Sequence, residues 1–325
     1  MDNGNTAQSI SRLFADLRKE MDRYVIGHDI VKHGLLLGLM AREHIYIEGP
    51  PGMAKTMLAE IVSTASNLKF YLYQFHRDTR LAELVGDIVI ERERTGKDGS
   101  SEIIAQSIRK GGVLTAELCV LDDISRSPGE ALNVLLRVLN EREFQTEKIP
   151  LLTAIATSNP TADDYYNEPL DPANLDRFTI QIRSAGLIQE NRWDQVREVM
   201  DLYSNSQFSE EVRPEPVLNR KIFDDAYALM HQVEIPEIVK RGLVDLLSRF
   251  VNQFKLDPTN SLITDRSFLV KTIKILKAQA LLAGRMKVTP DDLSVMTYLT
   301  TFRVPEEIDR NMPALIKETA QRVAE

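Results

Sequence analysis

The stretch GPPGMAKT, residues 49–56, follows a short apolar run at residues 45–47 and precedes a helical pattern that extends to Ser66. It matches the phosphate-binding loop G-x-x-x-x-G-K-[ST], except that Ala54 stands at the position of the last glycine. In such a loop, backbone N–H groups and the positive end of the following helix surround a polyphosphate. The stretch therefore predicts a strand, a phosphate-binding loop and a helix; the alternative is a glycine-rich turn that only caps an ordinary helix.

Two side chains of this loop predict ATP and Mg²⁺ as the cofactors. Lys55 would reach the β- and γ-phosphates, and the hydroxyl of Thr56 would bind Mg²⁺. Alanine at position 54 is tolerated if it already enters the helix with a negative φ, which we expect, whereas a left-handed conformation would exclude its methyl group. The predicted nucleotide-binding residues of the loop are Gly49, Pro50, Pro51, Gly52, Met53, Ala54, Lys55, Thr56 and Met57.

A second element lies about 65 residues further on, where the apolar run at residues 118–121 ends in Asp122 and Asp123. Enzymes with a phosphate-binding loop place a metal-holding carboxylate at the end of such a strand. Asp122 fits that role. An apolar strand that ends in aspartate is commonplace by itself, but here another strand, residues 151–156, leads to the polar Asn159. The three elements together favour a nucleotide site.

Strand and helix patterns alternate over residues 40–200, which predicts a parallel sheet covered on both faces. We therefore assign residues 1–205 to an α/β nucleotide-binding domain, with an inserted hairpin near residues 86–105. Residues 206–216 are polar, carry two prolines and are predicted to be a linker. Residues 217–325 show only helical periodicity and are predicted to form a small helical domain.

Composition limits the possible partners and compartments. The chain has 325 residues, 43% of them hydrophobic, and a formal net charge of −8. No basic stripe is visible, so nucleic acid is disfavoured as the main partner. Because Cys119 is the only cysteine, an internal disulfide is excluded and a reducing, cytoplasmic location is expected. No signal peptide is visible and no apolar stretch approaches the ~20 residues that span a bilayer, so we expect a soluble protein.

Five segments resemble the MoxR branch of the AAA+ ATPases, and RavA-type members most closely. They are GPPGMAKT, LCVLDDISRSPGEALNVLLRVLNEREF, EKIPLLTAIATSNP, LDRF and TDRSFLVKTIKILKAQALLAGRMKVTPDDL. The resemblance covers roughly residues 20–310, in the order and spacing of the family. It implies an α/β fold: an AAA+ P-loop NTPase core, with a parallel sheet sandwiched by helices, followed by a small all-helical lid domain. Alanine before the loop lysine is common in that family.

The resemblance also implies roles for residues outside the loop. Asn159 matches the polar sensor of the γ-phosphate, although an asparagine before proline can simply make a turn. Arg177 matches the arginine that reaches a neighbouring subunit's nucleotide; its alternative is a surface salt bridge. Arg266 matches the second sensor arginine, at the start of a lid helix. Ile26 and Gly27 resemble the turn beside the adenine, which a helix–helix turn explains equally well.

Position 123 departs from the family, which usually has glutamate after the metal-holding aspartate. Asp123 is thus the candidate catalytic carboxylate, with one methylene fewer. Misplacement by ~1 Å can cost on the order of 100-fold in rate. Slow hydrolysis, or hydrolysis that depends on a partner, is therefore expected.

The resemblance implies a homo-hexameric ring that uses ATP to remodel or mature a protein partner, commonly beside a protein with a von Willebrand factor A (vWA) domain. A second hypothesis is a nucleotide-gated scaffold that binds ATP and hydrolyses it slowly because of Asp123. A third, a nucleic-acid-processing motor, is weaker because of the acidic charge balance.

Overall fold

A computed structural model describes residues 3–95, 101–160, 170–204 and 214–324. Its strands are β1 Ile45–Glu48, β2 Phe70–Gln74, β3 Gly86–Thr95, β4 Ser101–Lys110, β5 Leu118–Asp122, β6 Glu143–Phe144, β7 Glu147–Lys148, β8 Thr153–Ser158 and β9 Ile180–Arg183. Its helices are α1 Asn3–Tyr24, α2 Asp29–Ala41, α3 Lys55–Ala65, α4 Leu81–Val85, α5 Gly129–Glu141, α6 Pro172–Leu175, α7 Trp193–Ser204, α8 Arg220–His231, α9 Glu237–Asn252, α10 Arg266–Leu282, α11 Met296–Thr300 and α12 Glu306–Ala324.

Five strands form one parallel sheet in the order β2, β5, β8, β1, β9. In the register of the sheet, Ile45 of β1 pairs with Ile155 of β8 and with Ile180 of β9. All five strands run in the same direction, so their carboxyl ends share one edge. The segments that follow β1, β8 and β5 meet at this edge, where ligands bind in open α/β sheets.

Helices cover both faces of the sheet. Successive residues of a strand point to opposite faces. Ile45 and Ile47 lie in a core shared with α1, α2 and α3. Tyr46, between them, lies in a second core, which α5 supplies with leucines such as Leu135. The predicted parallel sheet between helical layers is therefore confirmed.

The C-terminal region is helical from α8 to α12, as the sequence predicts. Helix α10 packs against α1 and α2, and α9 packs against α12. Phe14 of α1 meets Phe223 of α8 edge to face, with ring centroids 5.6 Å apart. The lid therefore shares a core with the first two helices of the chain. Most of the predicted linker, residues 206–216, lies outside the described residues.

An antiparallel hairpin of β3 and β4 leaves the core between α4 and β5. Its pairing runs from Gly86 opposite Lys110 to Thr95 opposite Ser101. The hairpin thus extends five residues beyond the limit of residue 105 suggested by the sequence. Gly86 has a φ of 109°, and a Cβ there would lie 2.1 Å from the carbonyl oxygen of Arg109, so the base of the hairpin requires glycine. Among the described helices, none is long and apolar enough to cross a membrane.

Candidate active site

The phosphate-binding loop leaves the carboxyl end of β1 and enters α3 at Lys55. Gly49 lies against the segment after β9, since a Cβ on it would be 2.8 Å from the carbonyl oxygen of Ser184. Gly52 has a φ of 80°, and the space where its Cβ would point is open. The first N–H groups of α3 have no intrahelical acceptor, and no side chain in the described part of the chain caps them. The loop therefore presents free donors to an anion.

The expectation for Ala54 is wrong. The residue has a φ of 52° and a ψ of 23°, in the left-handed region, and is the N-cap of α3. It does not enter the helix with a negative φ. The methyl group is accommodated at a cost of about 1–2 kcal/mol for an L-residue in this conformation. The loop thus keeps the backbone shape that a glycine would adopt, with local strain.

Lys55 is held by the loop itself. Its Nζ donates to the carbonyl oxygens of Gly49, at 2.5 Å, and Pro50, at 2.9 Å, and to Oδ1 of Asn159, at 3.2 Å. Burial lowers the pKa of Lys55, while the carboxylates of Asp123 and nearby acids oppose this effect. Two main-chain carbonyls of the loop and the Asn159 amide oxygen satisfy the ammonium, so the lysine is directed into the loop.

Asp122 lies next to Thr56 at the candidate metal position. The Thr56 hydroxyl donates to Oδ1 of Asp122 at 2.9 Å, and the Thr157 hydroxyl donates to the same oxygen. Thr157 also accepts the backbone N–H of Asp123, at 3.3 Å. A hydroxyl and a carboxylate in contact are suitable oxygen ligands for Mg²⁺, which is usually held by one or two carboxylates and substrate phosphates.

Asp123 is engaged by two neighbours. Its Oδ1 accepts the side-chain N–H of Asn159 at 2.9 Å, and Nε of Arg126 lies 3.6 Å from its Oδ2. Burial raises the pKa of Asp123, and the adjacent Asp122 adds to this effect, whereas Arg126 and Lys55 oppose it. A raised pKa brings a carboxylate closer to the range useful for accepting a proton. Asn159 links this carboxylate directly to Lys55.

Two adjoining cavities surround the loop. The smaller, about 290 Å³, is lined by residues 51–57 together with Asp122, Asp123 and Asn159. The larger, about 630 Å³, lies on the other side of the loop and is mainly apolar. Its walls come from the α1–α2 turn and from the segment after β9, and they include Tyr24, Val25, Ile26, Leu187, Ile188, Val196, Val199 and Met200. A polar cavity beside an apolar one fits a triphosphate attached to a base.

The predicted turn at Ile26 and Gly27 borders this apolar cavity. Ile26 lines it. Gly27 has a φ of 71°, and a Cβ there would lie 2.8 Å from both Gln195 and Leu187. This glycine therefore allows the turn to approach the segment after β9.

Arg177 and Arg266 do not approach the site of their own chain. Arg177 lies three residues before Ile180, which pairs with Ile45 at the amino end of β1. A four-residue strand, roughly 10 Å long, therefore separates it from the edge that carries the loop. Arg266 is exposed at the first turn of α10, and five residues later Lys271 donates to the carbonyl oxygen of Asp176 at 2.6 Å. Arg177 thus lies near the opposite edge, and Arg266 begins the helix that contacts its segment.

Sequence reasoning missed two parts of this site. Thr157 was not recognised, although it stands two residues before Asn159 and so points to the same face of its strand. Helix α7 was also missed. It has apolar residues at Val196, Val199 and Met200, the spacing of a helix with one apolar face, and those residues line the apolar cavity.

Comparison with known proteins agrees with this geometry. Residues 12–212 match the family described as the MoxR domain in MoxR-vWA-beta-propeller ternary systems, and residues 243–307 match an AAA lid domain. An uncharacterized protein of Methanocaldococcus jannaschii is 27% identical over 287 residues, which are 87% of this chain and 68% of that protein. Chaperone MoxR1 of Mycobacterium tuberculosis is 29% identical over 168 residues, 50% of this chain and 42% of that protein.

A crystal structure of a candidate ATPase from Cytophaga hutchinsonii shares the fold. Its TM-score is 0.74 at 21% sequence identity, and the match covers 98% of this chain and 96% of that one. The matched MoxR family spans more than half of the present chain, and the lid match follows it in sequence. This chain therefore belongs to the MoxR family of AAA+ ATPases.

Proposed function

We propose that this protein hydrolyses ATP with Mg²⁺ and uses the reaction to remodel a protein partner. The observation that carries the proposal is the convergence of Lys55, Thr56, Asp122, Asp123 and Asn159 on one edge of the sheet, beside an apolar cavity of about 630 Å³. Membership of an AAA+ ATPase family supports the same reaction.

Each side chain has a role suited to its position. Lys55 and the free N–H groups of α3 bind the phosphates, and Thr56 and Asp122 hold Mg²⁺. When bound, the ion would neutralise charge on the phosphate oxygens. Asp123 orients the attacking water and accepts its proton, and Asn159, which already contacts Asp123, fixes that carboxylate.

The active site is shared between subunits of a ring, which we propose to be a hexamer. Arg177 lies at the sheet edge opposite its own loop, so the nucleotide that it can contact is the one bound to the loop of a neighbouring copy. Arg266, at the start of the helix that contacts this segment through Lys271, lines neither cavity beside the loop of its own chain. An arginine supplied by a neighbour stabilises transition-state charge and typically contributes 10³–10⁵-fold to turnover.

The partner that we propose is a protein reached through a vWA-domain adaptor. The matched family is described from systems that combine MoxR, vWA and beta-propeller components, and one relative carries the name chaperone. A cytoplasmic location, closeness to RavA-type members and the absence of nucleic-acid binding remain predictions from the sequence.

Phosphate release by the purified protein tests this proposal. We expect Mg²⁺-dependent turnover that Lys55→Ala abolishes and that EDTA removes. Lys69→Ala, a change at an exposed lysine next to the sheet, is the matched control and should retain native turnover. Absence of Mg²⁺-dependent hydrolysis with and without a vWA partner, together with no effect of Lys55→Ala on nucleotide binding, would contradict the proposal.

A nucleotide-gated scaffold is the second candidate, and the contacts of Asp123 favour it. Both carboxylate oxygens already have neighbours, Asn159 and Arg126, and the side chain is shorter than the glutamate usual in the family. In this alternative, ATP binding assembles the ring and hydrolysis contributes little. Rapid turnover by the native protein would eliminate it, whereas ATP-dependent assembly with negligible turnover would favour it.

A further inference from the structure

The short segment at residues 176–179, which contains Arg177, is held by cations of the lid. Arg303, in the turn between α11 and α12, donates to the carbonyl oxygens of Phe178 at 2.8 Å and Thr179 at 3.2 Å. Its Nε also donates to the carboxylate of Asp176 at 3.3 Å. Three of the four residues of the segment are therefore bonded to one lid guanidinium.

Arg303 is unusually buried for a charged residue, with 2% of its surface exposed. Its remaining contact is the carbonyl oxygen of Leu299, at 2.8 Å. Burying a guanidinium is costly unless its donors are satisfied. Here two of the four acceptors are main-chain carbonyls of the segment and a third is the Asp176 carboxylate, so the arrangement fixes the backbone on either side of Arg177.

Two lid lysines strengthen the same attachment. Lys271 of α10 donates to the carbonyl oxygen of Asp176 at 2.6 Å and to its carboxylate at 3.3 Å. Lys274, one turn further, pairs with Glu43, which also accepts the hydroxyl of Thr179. The segment is thus anchored by α10 as well as by Arg303.

The side chain of Arg177 is the exception. Its Nε is buried and has no hydrogen-bond partner among the described residues. The backbone around Arg177 is fixed, but its guanidinium has no ion-pair partner in the described part of its own chain. This arrangement is expected of a side chain that its own subunit positions and that acts on another subunit.

We propose that Arg303 and Lys271 are positioning residues, through which the lid sets the location of Arg177 for the nucleotide site of the next subunit. The inference rests on the proposed function, in which Arg177 acts on a neighbour's nucleotide. None of the described lid residues lines either cavity around the loop of the same chain. Loss of the attachment should therefore impair the neighbour's site and leave nucleotide binding to the same chain unchanged.

Kinetics of single variants give the first test. Arg303→Met and Lys271→Met should each lower kcat about 10- to 100-fold, the effect expected when a catalytic group moves by ~1 Å, with the KM for ATP unchanged. Lys271 is less buried than Arg303, so Lys271→Met can still test the proposal if Arg303→Met does not fold. Arg285→Met is the matched control: this lid arginine pairs with Asp292 at 2.7 Å and makes no contact with residues 176–179 in the described structure, so kcat should stay native.

Mixed rings distinguish positioning from general damage. A Lys55→Ala subunit cannot use ATP but presents an intact Arg177, so mixing it with Arg303→Met or Lys271→Met subunits should raise turnover above the sum of the separate proteins. A mixture of Lys55→Ala and Arg177→Ala subunits is the reference. If the reference mixture gains activity while the Arg303→Met and Lys271→Met mixtures do not, the positioning role is overturned. If the reference mixture itself gains nothing, the subunit-shared site of the proposed function is overturned as well.

Discussion

Replacing Ala54 by glycine should stabilise the protein, because the alanine methyl group is strained. Its φ of 52° lies in the left-handed region, which costs an L-residue about 1–2 kcal/mol relative to glycine. The unfolded chain is more flexible with glycine than with alanine at position 54. This greater entropy of the unfolded state offsets about 0.4–1 kcal/mol of the gain in stability. The net increase in the free energy of unfolding should therefore be roughly 0.5–1 kcal/mol.

Urea unfolding followed by circular dichroism, without nucleotide, measures this difference. A change of this size should also raise the melting temperature by about 1–3 °C. Ala15→Gly is the control, because Ala15 is exposed within α1 and glycine in a helix interior costs about 0.5–1 kcal/mol. The two variants should shift stability in opposite directions. A loss of stability in Ala54→Gly as large as that in Ala15→Gly would refute the argument from strain.

Three further changes can be measured. Asp123→Glu should raise kcat by up to about 100-fold with little change in the KM for ATP, because the longer side chain extends the carboxylate by ~1 Å. An unchanged kcat would show that this carboxylate does not limit turnover. Burial lowers the pKa of His44 from 6.5 to about 4, so the unfolded state binds its proton first and stability is lost as pH falls from 6.5 towards 4. The free energy of unfolding should fall by about 2 kcal/mol at about pH 5. Urea unfolding of the native protein and of His44→Gln at several pH values isolates this loss. If the free energy of unfolding depends equally on pH in both proteins, the prediction is contradicted. Gly49→Ala should weaken ATP binding about tenfold or more in a fluorescent-nucleotide titration, because the new Cβ would lie 2.8 Å from the carbonyl oxygen of Ser184 and displace the loop. Native affinity would mean that ATP binding tolerates this displacement of the loop.

Much of the candidate site follows from local patterns. Short apolar strands that end in Asp122 and before Asn159, together with the loop at residues 49–56, place polar groups at strand ends. Because the strands are parallel and adjacent, in the order β5, β8, β1, those ends necessarily meet at one edge. The residue types at this edge could therefore be predicted from the sequence, whereas their adjacency follows from the strand order of the fold.

The conformation of Ala54 could not be predicted in this way. Residue type favours a negative φ for alanine, but the loop must turn from β1 into α3 while Gly49 packs against Ser184. Long-range packing therefore overrides the local preference. The same applies to α7, whose apolar residues line a cavity that the turn at Ile26 also borders.

The sequence by itself determined which residues are candidates for the chemistry and that the strands form a parallel sheet, because both depend on residue type and on periodicity along the chain. Only the tertiary structure decided where the lid lies. It packs on α1 and α2 and donates hydrogen bonds to the segment that carries Arg177, while Arg266 lines neither cavity beside the loop of its own chain. That placement depends on contacts between residues more than 100 positions apart, such as Arg303 with Phe178, which no local pattern specifies.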